Sequence, residues 1–153
     1  MESLRDVGAL VGRILLALIF VLSGLNKIMN VSGTAGYMLH AGIPANLVHP
    51  LLYLSIAIEL GCGLLVMAGL QARWAALIIF LWLIPVTLLF HVAGYYQAVQ
   101  QHQAMVAATQ QVMYLKNIAM MGGLLVLAAM GPGRLSVDGR STVTRLNAPR
   151  RAA

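Results

Sequence analysis

Residues 74–91 read WAALIIFLWLIPVTLLFH, a run with no acidic or basic side chain before its final histidine. A helix on the surface of a soluble protein needs a polar face, so polar residues recur every third or fourth position. They do not recur here. Alternation of apolar and polar residues is also missing, and the run exceeds the roughly 10 residues of a membrane β-strand. Backbone groups in lipid must be satisfied within their own segment, which leaves a helix long enough to cross the bilayer.

Three further stretches follow the same pattern. The run 8–28 is broken only by Arg13 near its start and by Ser23, Asn26 and Lys27 near its end. In 51–70 the single charge is Glu59, and 112–130 carries Lys116 and Asn117 close to its beginning. Together with 74–92 these runs predict an all-α membrane protein, a four-transmembrane-helix bundle over 7–138 followed by a basic tail at 139–153. The first run has no small-x-small cleavage site, so it reads as a retained helix rather than a signal peptide.

Composition agrees with this reading. The 153 residues suffice for one domain, and 60% of them are hydrophobic against 9% charged. Mean hydropathy is +0.84. Disorder requires the opposite balance, and a single cysteine forms no disulfide framework. The net charge of +6 is spread around apolar runs and makes no basic patch for nucleic acid. The basic residues do, however, fall on one side. Arg5, Arg13, Arg73, Arg134, Arg140, Arg145, Arg150 and Arg151 share that side, while Lys27 and Lys116 lie at helix ends on the other. This bias predicts both termini in the cytoplasm and argues against dual topology. The external loops, 31–50 and 94–111, read as short amphipathic pieces at the lipid interface, with Tyr37, Tyr95 and Tyr96 as anchors.

A charge inside the bilayer is costly and marks a candidate site. Glu59 sits eight residues into the run that starts at Leu51, roughly 12 Å deep at 1.5 Å per residue. Antiparallel helices bring Lys27, His91, Lys116 and Asn117 towards the same end of the bundle. Two readings compete for this cluster. In the structural one, Lys27 or Lys116 neutralises Glu59 and the polar groups join helices. In the other, the cluster is a pocket for a ligand headgroup such as a quinone carbonyl or a small acid, with His91 handling a proton and Lys116 stabilising negative charge. No metal site is expected, because His40, His49, His91 and His102 lack a ligand spacing. Cys62 has no partner thiol and reads as a packing residue. The pair Gly8 and Gly12, with Gly61, Gly63, Gly122 and Gly123, reads as sites of close helix contact.

An ordered set of short motifs runs through nearly the whole chain. Arg13-Ile-Leu-Leu begins it, followed by Ser23-Gly-Leu-Asn-Lys27, Gly36-Tyr-Met38 and Ala41-Gly-Ile-Pro44. Glu59-Leu-Gly-Cys-Gly-Leu-Leu, Leu70-Gln-Ala-Arg73, Leu89-Phe-His91 and Leu115-Lys-Asn117 come next, then Gly122-Gly-Leu-Leu and Gly131-Pro-Gly-Arg-Leu-Ser-Val-Asp138. The combination resembles the DoxX family of small four-helix proteins of the bacterial inner membrane. That resemblance implies a multi-pass inner-membrane location. It also implies a role beside quinone-linked oxidoreductases, thiosulfate:quinone types among them, or redox-defence complexes. Lys27, Glu59, His91, Lys116 and Asn117 match the family's recurrent polar positions, and no catalytic residue carries over. The first expectation is a quinone-binding membrane subunit that relies on a redox partner for cofactors. A non-catalytic assembly subunit stands second, and a small transporter coupled through Glu59 third.

Overall fold

The computed structural model describes residues 2–139, so all but the first residue of the predicted tail lies outside the described residues. Five helices build the bundle: α1 (Glu2–Met29), α2 (Val31–His40), α3 (Ala45–Ala68), α4 (Ala72–Gln100) and α5 (Ala104–Met130). All except α2 are long and apolar enough to cross a membrane. Large apolar side chains stay exposed along each of these four, such as Leu22, Leu64, Leu81 and Val126. Lipid is the solvent that such a surface fits. An even number of crossings returns the chain to the side on which it began.

The helices are longer than the apolar runs. Helix α3 starts six residues before the predicted 51 and carries Pro50 within it. Helix α4 runs eight residues past 92, and α5 begins eight before 112. The predicted loop 94–111 therefore shrinks to a turn at 101–103, where His102 takes a positive φ of 55°. Hydropathy reports only the part of a helix that suits lipid. The Gln-rich flanks are good helix formers and extend the hydrogen-bonded ladder beyond it. The other loop contains α2, whose N-cap Asn30 accepts from the Gly33 N–H at 3.2 Å.

Two clusters form the core. Ala17, Phe20, Val66, Ala76, Ile79 and Leu124 pack the half that bears the termini. Ala35 and Met38 of α2 pack with Val48 and Leu52 of α3 at the opposite end, so α2 is folded onto the bundle. Close contact of α1 with α3 depends on Gly24 and Gly63. A Cβ at Gly24 would lie 2.9 Å from Leu60 Cβ, and one at Gly63 3.1 Å from Val21 Cγ2. Gly8, Gly12, Gly61 and Gly122, expected at such contacts, face open space within 4 Å. Gly8 and Gly12 line an open groove between α1 and α5, and Gly61 and Gly122 are exposed.

The chain also locks its terminal end. Arg13 is 4% exposed and donates to three carbonyls: Met67 O at 3.3 Å, Pro132 O at 2.6 Å and Leu135 O at 3.1 Å. The carboxylate of Asp138 accepts from the first amides of α4, Gln71 N at 3.0 Å and Ala72 N at 3.2 Å. A carboxylate at a helix N-terminus both caps and complements its dipole. Segment 131–138, the end of the predicted domain, is thus a structured strap across the ends of three helices.

Candidate functional site

At the end opposite the termini, α1, α2, α3 and α4 enclose a cavity of about 370 Å³. Its polar wall is built from pairs one helical turn apart. On α1, Lys27 Nζ donates to Ser23 Oγ at 2.8 Å; on α3, Ser55 Oγ donates to Glu59 Oε1 at 2.9 Å. Residues at i and i+4 share a helix face, so each serine lies beside its charged neighbour. The two faces meet in an ion pair, Lys27 Nζ to Glu59 Oε2 at 2.6 Å. Glu59 is 7% exposed, and both its oxygens are bonded. The partner of Glu59 is therefore Lys27.

Apolar groups line most of the remainder, among them Leu51 and Leu52 from α3, Val86, Leu89 and Phe90 from α4, and Met38 from α2, with Asn26 of α1 and Thr34 of α2 as further polar residues. The Tyr37 ring of α2 stacks on Phe90 with centroids 5.7 Å apart, holding α2 against the mouth. Trp82 also lines the cavity, and its buried indole N–H has no acceptor.

Both titratable cavity residues expected from α3 and α4 sit where the backbone departs from α-helix. Glu59 lies in a π-helical turn at Ala57–Cys62 and His91 in a second at Thr87–Val92. Such turns carry one extra residue and re-aim the side chains within them, and they are frequent at functional sites. Measured from Ala45, Glu59 is 14 residues along α3, about 21 Å rather than 12 Å from the helix start. His91 lines the cavity and also contacts Gln110 Oε1 of α5 through Nδ1 at 2.9 Å.

Lys27, Glu59 and His91 thus share one cavity, whereas Lys116 and Asn117 are not among its lining residues. Lys116 is exposed and its Nζ lies 3.4 Å from Met113 Sδ on its own helix. Asn117 is buried and donates to Thr87 Oγ1 at 3.0 Å, a polar bridge between α5 and α4. Helix α5 contributes nothing to the cavity wall. Sequence reasoning does not single out Ser55 or Trp82. The Ser-x-x-x-Lys and Ser-x-x-x-Glu spacings are visible signals for the serines, but no spacing marks Trp82. No group of three or more His, Cys, Asp or Glu side chains suited to a metal occurs among the described residues. Cys62 is half-buried against the apolar core.

Comparison with known proteins gives a family and two relatives. The DoxX family model matches residues 8–92. The Inner membrane protein YqjF of Escherichia coli (strain K12) is 35% identical over 138 residues, 90% of this chain and 95% of that protein. The Inner membrane protein YphA of the same organism is 26% identical over 136 residues, 89% of this chain and 91% of its own length. No solved structure matches the chain.

Proposed function

From the premise that this chain belongs to the DoxX family and is a multi-pass protein of the inner membrane, we propose that it is a quinone-binding membrane subunit of an oxidoreductase or redox-defence complex. The observation that carries the reading is the cavity in which apolar walls meet the buried Lys27–Glu59 pair. Few polar groups on an apolar lining are the usual composition of a small-molecule site, and about 370 Å³ lies within the usual range. The pair is charge-balanced, which favours a neutral ligand over an anion that would meet the Glu59 carboxylate. A quinone ring is neutral, flat and apolar, with carbonyl oxygens for donors. Lys27 has three ammonium hydrogens and gives two to Ser23 and Glu59, so one remains for a carbonyl. His91 lines the cavity as well, and its imidazole, bonded to Gln110 through Nδ1, offers Nε2 as a further polar contact. Electron transfer itself belongs to a partner subunit that carries redox cofactors.

The test measures affinity for decylubiquinone beside thermal stability in lipid nanodiscs. The parent protein is expected to bind, and His91→Ala to bind about tenfold more weakly with the bundle intact. Glu59→Gln should also bind weakly. Should it fold poorly, the charge-free Lys27→Met/Glu59→Gln double variant provides the folded comparison. No binding by the parent would favour a non-catalytic assembly subunit. One observation supports that second reading: both Glu59 oxygens already have partners within the bundle.

A further inference from the structure

At the end that bears the termini, α1 and α5 leave a groove of about 850 Å³ between them. Gly8, Gly12 and Gly123 are among its lining residues. A Cβ at Gly8 or Gly12 would meet nothing within 4 Å, so the protein fills that space with no side chain of its own. The helices come together at the inner end, where a Cβ at Gly123 would lie 3.4 Å from Leu16 Cδ1. From Gly8 to Leu16 the groove runs about 12 Å at 1.5 Å per residue. Val126 and Leu127 supply apolar wall on α5.

The outer end of the groove is cationic. Arg5, Arg13 and Arg134 line it with a single acid, Asp6, whose Oδ2 lies 4.0 Å from Arg134 Nε. Arg5 is exposed and makes no hydrogen bond or ion pair among the described residues. Arg13 gives its hydrogen bonds to three neutral carbonyls, so no carboxylate in contact cancels its charge.

We propose that this groove binds one anionic phospholipid, with an acyl chain lying over Gly8 and Gly12 and the phosphodiester beside Arg5. Both walls belong to membrane-spanning helices, so lipid is the molecule that meets the groove. Basic pockets between such helices suit phospholipid headgroups. The excess of arginine over acid selects a lipid of net negative charge, because a zwitterionic one brings its own cation to the rim. A second copy of the chain fits less well. Two-fold pairing through this face would set Arg5 and Arg134 of one copy near those of the other. The groove lies at the opposite end from the cavity of Lys27 and Glu59, and the proposal is independent of the quinone reading.

Native mass spectrometry of the full chain, released from nanodiscs of equal phosphatidylglycerol and phosphatidylcholine, reads the lipid that stays bound. The parent is expected to retain one phosphatidylglycerol, preferred on the order of tenfold over phosphatidylcholine. Arg5→Gln should lower that preference about fivefold, the value of one arginine near a charged headgroup. Gly8→Leu and Gly12→Leu each fill the groove and should shed the lipid with the lipid-free melting temperature retained. Gly122→Leu, at an exposed position outside the groove, should keep it. Excess inorganic phosphate should not displace the lipid, since it has no chain to occupy the groove. Equal retention of both lipids by the parent, or a preference that Arg5→Gln leaves whole, overturns the headgroup site. Lipid retention unchanged in both leucine variants at the groove overturns the acyl-chain site. A dimer that Gly12→Leu dissociates, with no lipid retained by the parent, would give the groove to a second copy instead.

Discussion

The Lys27–Glu59 pair sets the energetics of the site at the level of single side chains. Two opposite charges at 2.6 Å offset much of each other's desolvation, and each is supported by a serine one turn away. Removing one partner of a buried pair costs about 3–5 kcal/mol because the other charge is left unpaired. Lys27 keeps 19% of its side chain exposed and can reach water, so Glu59→Gln is expected to cost about 2–3 kcal/mol. The Lys27→Met/Glu59→Gln double variant should recover most of that loss. A double-mutant cycle on thermal unfolding measures the coupling, and additive single effects would mean the pair contributes no stability. Cys62 behaves differently, being half-buried among apolar neighbours with no thiol partner. Cys62→Ala should leave folding and the proposed quinone binding unchanged, and loss of such binding at equal protein level would give the thiol a role.

Between elements, contact depends on absent side chains and on the strap at 131–138. Gly24→Val would drive a side chain into Leu60, where even a Cβ sits 2.9 Å from its neighbour, while Gly8→Ala meets nothing within 4 Å. Overpacking of this kind costs about 1–3 kcal/mol. The valine variant should melt lower, and the alanine variant as the parent does. The strap is held by Arg13 below and by Asp138 at the start of α4. Asp138→Ala is expected to cost about 1 kcal/mol through loss of the cap. Arg13→Met should cost more, since three carbonyls each lose an N–H of the same guanidinium. Equal melting temperatures for the Asp138 variant and the parent would show that the strap holds without its carboxylate.

For the molecule as a whole, the distribution of charge governs orientation in the bilayer. Four crossings put both ends on one side, and the arginine bias predicts that this side is the cytoplasm. Arg13 takes part in that bias, yet it is buried and bonded to carbonyls, so topology should depend more on Arg5, Arg73 and the tail arginines. Reporter fusions at Gly42 and His102 are expected to read as external, and one at Arg140 as internal. The reverse pattern would put the cavity of Lys27 and Glu59 towards the cytoplasmic face.

Four spans, the family and the gathering of polar residues towards one end were legible in the sequence, because a run that suits lipid over about 20 residues can do little but cross it. The ends of α3, α4 and α5 were not, since a helix continues past the lipid wherever its flanks favour it. Nor was the rotation of each helix about its axis. A span that is apolar all round gives almost no periodic signal for the face it turns inward. That rotation decided that Lys27 rather than Lys116 meets Glu59, and that Asn117 bridges to Thr87. It also left Gly8 and Gly12 on an open groove between α1 and α5 instead of at a close helix contact. Hydropathy is summed along one dimension, whereas pairing depends on which faces touch, and only the packed bundle specifies that.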